Sequence, residues 1–221
     1  MPRDLPDAVL APILADSSPR SRLIAAMATA LCEQSYASIT VADIVRIARV
    51  SKRTYYEHFA TREACYLATY DAVSELLLVR IEAAAASEFP VHERLMAAAD
   101  AYLSALQEMP ALARTFFLEI QLAGPDALLA RRKVHQRFAA VLRTLVRKGQ
   151  RGGASVQPLS ADMAVAVVGG INELLMLRIE ARKLDELRQL RASVVALFEA
   201  VLRPSETTVV ARKTAGKLVV S

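Results

Sequence analysis

Thr40-Val-Ala-Asp-Ile-Val-Arg-Ile-Ala-Arg-Val-Ser-Lys-Arg-Thr-Tyr-Tyr-Glu-His-Phe59 decides the fold. Thr40 and Asp43 stand at the Thr-x-x-Asp spacing that starts a helix, the hydroxyl accepting from a free amide and the carboxylate facing the positive end of the dipole. Ile44, Val45 and Ala48 form the buried stripe of a helix of about eight residues, by their spacing. Arg49-Val50 breaks it, and Ser51 caps a further helix from Lys52 to about Phe59. On that helix Tyr55 and Phe59 share one side, Arg53, Thr54 and Glu57 lie opposite, and Lys52 and Tyr56 flank them. Two short helices, a tight turn and a basic second member suit a helix end entering a DNA major groove about 12 Å wide.

Working outward, Ser18-Pro19 reads as the cap and first position of a preceding helix, whose apolar positions Leu23, Met27 and Leu31 keep helical spacing to Gln34. Residues 1–17, with three prolines and no periodicity, read as a flexible arm. Thr61 caps a long helix that carries Leu67, Val73, Leu76, Leu77 and Ile81 and fades before Phe89-Pro90. Further helices are predicted over Val91–Met109, Ala111–Ala123, Pro125–Lys148, Ser160–Arg182 and Asp185–Leu202, and no strand alternation is visible. The expected fold class is all-α: an N-terminal three-helix DNA-binding unit over 18–65, a helical ligand-binding and dimerisation unit over 66–203, and a flexible tail over 204–221.

The stretch from Thr40 to Phe59, followed by Ala-Thr-Arg-Glu-Ala64, resembles the DNA-binding signature of TetR-family transcriptional regulators. The similarity spans roughly residues 18–70; beyond it only length, helical pattern and helix count agree. The resemblance implies a phosphate contact at Thr40 and major-groove contacts from Lys52, Arg53, Thr54 and Tyr56 at the end begun by Ser51. It also implies backbone phosphate contacts from His58 and Arg62. Physically, Arg53 can pair bidentately with guanine, Lys52 can reach guanine or phosphate, the Thr54 methyl can meet thymine, and the Tyr56 hydroxyl suits phosphate. Glu57 accepts from cytosine or points aside. The family usually places Gly where this chain has Arg49. A left-handed residue with a side chain costs of order 1 kcal/mol, either absorbed by packing of Val50 or repaid by a phosphate.

Composition sets the bounds. The 221 residues are 54% hydrophobic and 23% charged, so a core is affordable and disorder of the whole chain is excluded. The net charge of +5 matters less than its distribution: residues 40–62 hold five basic side chains against Asp43 and Glu57. Cys32 and Cys65, the two cysteines, lie in apolar helical patterns, which suits buried thiols and a cytoplasmic location. The longest later uncharged apolar stretch, Met163–Ile171, is too short to span a bilayer, and no membrane partner is expected. His92 and His135 lack ligand partners at metal spacing and read as surface or pocket-lining polarity. No catalytic set, metal site or cofactor is expected, so the chain reads as a non-enzyme. Arg131-Arg-Lys133 and the basics from Arg143 to Lys148 read as an exposed helix face.

A reader of two half-sites about 34–36 Å apart needs two-fold symmetry, so a homodimer on a palindromic operator of double-stranded DNA is expected. The interface falls to the last two helices, about 160–202: Met163, Val167, Ile171, Leu174, Leu175 and Leu177, with Val194, Val195, Leu197, Phe198 and Leu202. The resemblance also implies a four-helix dimer bundle there. Gly169-Gly170 in mid-helix costs about 1 kcal/mol per residue unless a close approach uses it, between subunits or within one. Candidate lining for a small-molecule effector is Tyr102, Phe116, Phe117, Gln121 and Met176, with Asn172 and Glu173 as polar groups needing partners. The expected function is a repressor released by that effector; the alternative is an all-helical carrier or sensor of apolar ligands without DNA binding.

Overall fold

A computed structural model describes residues 13, 15–86 and 89–203. The tail and all of the N-terminal arm except Ile13 and residues 15–17 lie outside the described residues. Among those described the secondary structure is helical, with no strand.

Helix α1 (Pro19–Glu33) begins where Ser18 Oγ accepts from the Ser21 amide at 3.2 Å, with Pro19 supplying a first residue that needs no hydrogen bond. Eight of its side chains are buried, among them Leu23, Ile24, Met27 and Leu31, so it is the hub on which its neighbours pack. After a 3-10 turn (Tyr36–Ser38) come α2 (Val41–Ala48) and α3 (Lys52–His58). Helix α4 (Arg62–Ala84), capped by Thr61 Oγ1 on the Ala64 amide at 3.1 Å, runs 23 residues, or about 35 Å at 1.5 Å per residue. Cys65 is buried as expected and Cys32 is half-buried; desolvation pushes Cys65 up to about 12 and Cys32 up to about 11.

The remaining helices are α5 (Val91–Glu108), α6 (Pro110–Arg114), α7 (Asp126–Arg151), α8 (Ala161–Glu180) and α9 (Arg191–Leu202). Two segments depart from the expected continuous helices. Residues 111–123 change hydrogen-bond register twice, passing from α6 into a π turn (Thr115–Glu119) and a 3-10 turn (Ile120–Ala123). The wider π turn admits an extra residue, and it turns Phe116 and Glu119 inward together. Likewise Leu184–Leu190 is 3-10, so α9 starts six residues later than expected.

Two apolar clusters form the interior. One runs from Ile44 and Tyr55 in α2 and α3 through α1 and α4 to Leu106, Leu112 and Ile120. The other joins Ile81, Leu95, Leu142, Val146, Val167 and Leu202. The expected interface residues Val167, Leu175, Val194 and Leu202 are buried inside their own chain and cannot meet a partner. Gly149, in the last turns of α7, marks where α5 and α7 touch: a Cβ there would lie 2.6 Å from Cβ and Cγ2 of Val91. Because Val91 is stiff about its first torsion, Gly149→Ala is expected to destabilise the fold by about 1–3 kcal/mol despite alanine's better helix propensity. A thermal melt reads this as a lowered midpoint; an unchanged midpoint would show that α5 yields.

Candidate nucleic-acid interface and central cavity

The Thr40 cap is reciprocal: its Oγ1 accepts from the Asp43 amide at 3.2 Å, and Asp43 Oδ2 accepts from the Thr40 amide at 3.1 Å. The Thr40 hydroxyl also donates to Asp43 Oδ2, at 2.6 Å, and these bonds hold the carboxyl of Asp43 below its ordinary range. Arg49 closes α2 in the left-handed region, at φ 53° and ψ 48°. What holds it there is Arg22 of α1, whose guanidinium donates to the Ala48 carbonyl and, at 2.9 Å, to that of Arg49. The carbonyls that α2 leaves unpaired thus find a cation, which favours the negative end of a helix. With the turn pinned from α1, Arg49→Gly is expected to raise stability by of order 1 kcal/mol and leave the salt slope of DNA binding unchanged. A slope reduced by about one would instead assign Arg49 to a phosphate.

Ser51 Oγ caps α3 by accepting from the Thr54 amide at 3.0 Å and lies 2.9 Å from Thr54 Oγ1. Tyr55 is fully buried and donates its hydroxyl to the Thr61 carbonyl at 3.1 Å, while Phe59 is buried beneath the Arg20 guanidinium. The outward side carries Lys52, Arg53, Tyr56 and His58, all exposed, with Thr54 half-buried beside them. Tyr56 is 58% exposed although its sequence neighbour is wholly buried, because one step along a helix turns the side chain by about 100°. Glu57 points aside to Arg53, bonding Nε at 3.1 Å, an exposed pair of little energetic weight that leaves both terminal amino groups of Arg53 facing outward.

Arg62, expected to meet a phosphate, has intrachain partners of its own. Its Nη1 donates to the Ile39 carbonyl at 2.6 Å, its guanidinium lies 4.5 Å from the Tyr36 ring centre, and Glu63 pairs with it at 3.5 Å. It fastens the segment entering α2 to the start of α4. Neither Arg22 nor Arg62 has a local sequence signal for such a task, because the carbonyls they hold are 23 to 27 residues away.

A second feature lies among α4, α5, α7 and α8. Tyr102, Phe116, Phe117 and Asn172 line one cavity together with Tyr70 and Arg131, and His135 joins them. Gln121 and Glu173 are exposed and do not line this cavity, Gln121 lying on the outer side of the 3-10 turn whose Ile120 and Ala123 are buried, and Glu173 on the outer side of α8. Met176 is half-buried and does not line it either. Arg132 and Lys133 are exposed as expected, but Arg131 is half-buried and faces the cavity. Tyr102 donates to Asn172 Oδ1 at 3.3 Å, and Asn172 Nδ2 lies 2.8 Å from His135 Nε2. Burial, with the Arg131 charge adding to it, holds the His135 pKa below that of a free imidazole.

The cavity and the α2–α3 pair are tied together. Phe116 packs edge-on against Tyr70 and Tyr66, and Tyr66 stacks on Tyr36 with ring centres 4.3 Å apart. Three residues beyond Phe116, the carboxylate of Glu119 is buried, accepts from the Tyr36 amide at 2.9 Å and pairs with Arg114 at 3.5 Å. Sequence reading did not single out Glu119, whose partner is 83 residues distant. Among the described residues no His, Cys, Asp and Glu group could hold a metal ion, and no helix is long and apolar enough to cross a membrane.

Residues 23–69 match the family profile described as bacterial regulatory proteins, tetR family. No curated protein matches the chain. Among solved structures, the fatty acid degradation regulator FadR from Bacillus halodurans superposes with a TM-score of 0.70 at 20% identity, covering 85% of this chain and 97% of its own. The transcriptional regulator FadR from Bacillus subtilis, solved in complex with stearoyl-CoA, gives 0.67 at 19% identity over 80% of this chain and 95% of its own. The reduced form of Escherichia coli NemR gives 0.61 at 15% identity over 86% and 100%. The segment that builds the α2–α3 pair is thus similar to the tetR family of bacterial regulatory proteins, and the helical fold over the described residues resembles that of these solved regulators.

Proposed function

We propose that the chain is a homodimeric, sequence-specific regulator of transcription that binds a palindromic operator through α3 and is released from it by a small molecule in the central cavity. The observation that carries this reading is the division of α3. Tyr55 and Phe59 are buried as anchors, whereas Lys52, Arg53 and Tyr56 project to the surface from a doubly capped, pinned helix pair.

The dimer is supported by α8. Met163, Ala166, Gly170, Glu173 and Leu177 are all exposed and follow alternating steps of three and four residues, the spacing of a helix–helix seam. Gly169 has nothing within 4 Å of where a Cβ would stand, and at Gly170 the nearest atom is Leu197 Cδ2 at 3.8 Å. Nothing within one chain requires these glycines, so a second copy is the partner that profits from them. Release is supported by the run from the cavity wall at Phe116 to Glu119 and Tyr36, four residues ahead of the Thr40 cap. A ligand that moved Phe116 would bias the placement of α2 and α3 through that path.

The test is selection and sequencing of source-genome fragments bound by the purified chain. An enriched inverted repeat with half-sites one helical turn apart is the expected outcome. Absence of enrichment would overturn the reading in favour of a carrier of apolar ligands.

A further inference from the structure

A second chamber adjoins the central cavity. The first, of about 50 Å³, and the second, of about 70 Å³, share Tyr102, Phe138 and Asn172 as a common wall. The two differ in chemistry. Beyond Tyr102 and Phe138 the lining is apolar but for Asn172 and the Tyr102 hydroxyl, with Ile81, Leu95, Leu142 and Val168. On the near side stand Arg131 and His135.

The hydrogen bonds on that wall decide what it still offers. Tyr102 donates to Asn172 Oδ1, so that acceptor is used. Asn172 Nδ2 can only donate, so His135 Nε2 accepts from it and the ring's proton sits on Nδ1, as a neutral imidazole allows. The hydroxyl of Ser74, also on the lining, is spent on the Tyr70 carbonyl at 2.7 Å. What is left is a donor on His135 Nδ1 and the guanidinium of Arg131, for which no hydrogen bond or ion pair exists among the described residues. The other arginines of this region are committed: Arg137 to Asp71 and Glu75, Arg114 to Glu119. An unpaired, half-buried cation beside a neutral imidazole donor, at the mouth of an apolar chamber, is complementary to an anion with an apolar body.

We propose that the ligand of this cavity is a small organic carboxylic acid. Its carboxylate is held by Arg131 and His135, and an apolar body of about one ring is lodged beyond Tyr102 and Phe138. This rests on the reading above that the central cavity takes the effector. Size follows from volume: an apolar cavity of about 150 Å³ accommodates benzene, so the chambers of 50 and 70 Å³ together come near the space of one ring, which side-chain adjustment must complete, and fall far short of a long chain. Outward, Leu95 and Phe198 line both the second chamber and an open groove beside α9.

Calorimetric titration of the full chain with benzoate, phenylacetate, neutral benzamide and dodecanoate tests this. The better of the two ring acids is expected to bind at least tenfold tighter than benzamide and tighter than dodecanoate. In Arg131→Gln the acid should fall to the level of benzamide, whose own affinity is unchanged, and Arg131→Lys should keep part of the preference. Acid and amide binding alike, a preference that survives Arg131→Gln, dodecanoate binding tightest, or no binding of either ring acid would each overturn the proposal. An acid that binds with the expected dependence on Arg131 yet leaves the operator complex intact upholds the ligand class and removes the release step from the proposed function. Failure to bind acids by a chain that still selects an operator overturns the ligand class alone.

Discussion

Lys52→Ala combined with Arg53→Ala is expected to lower affinity for the selected operator about a thousandfold while leaving the fold intact. A well-placed contact to a base edge is worth about 1–3 kcal/mol, so two per half-site across two half-sites give about 4 kcal/mol even at the low end. At about 1.4 kcal/mol per tenfold, that is three orders of magnitude. The Arg53 side chain is 90% exposed and its one partner, Glu57, is also at the surface, so neither replacement opens the core. Fluorescence anisotropy on the operator and on a scrambled duplex of equal length would read the difference. Loss should be large for the operator and small for the scrambled duplex, with a salt slope reduced by about one for each contact that proves to be a phosphate. A fall of less than tenfold on the operator would remove α3 from the reading role.

Gly170→Glu combined with Leu177→Glu is expected to yield a folded monomer that has lost the operator. Both positions are exposed, and the nearest atom to a Cβ at 170 is at ordinary contact distance, so the single chain tolerates the change. With Glu173 between them, each protomer would then present three carboxylates along the seam to the three of its copy. Sedimentation velocity should show the monomer mass, and circular dichroism an unaltered helical signal. Operator affinity should fall by about 10²–10⁴, because the second half-site no longer binds as an intramolecular event. A dimer that persisted would place the interface elsewhere, and the exposed Leu128 and Leu129 of α7 would become the next surface to alter.

The parts of this molecule that the sequence foretold are those decided within a few residues. Ser18, Thr40, Ser51 and Thr61 all cap as their spacing implied, because a hydroxyl and an amide three residues on meet whatever the rest of the chain does. The opposite fates of Tyr55 and Tyr56 followed from helical geometry alone. What escaped notice is long-range. Arg22, Arg62 and Glu119 are ordinary surface-type residues in the sequence, and their carbonyl and amide partners are set by tertiary packing. Arg131 was grouped with Arg132 and Lys133, since one position along a helix turns a side chain by about 100°, and only the course of α7 shows which of the three looks inward. Gln121 was misplaced because the π turn shifts the register by one residue at the point where an uninterrupted helix would have aimed it inside.

In α3 the side chains that keep the helix in place and those that face outward alternate without sharing a single residue, Tyr55 and Phe59 on one account, Lys52, Arg53 and Tyr56 on the other. Under the proposed function, exchange of these surface residues would alter the preferred DNA site without disturbing the packing that holds α3.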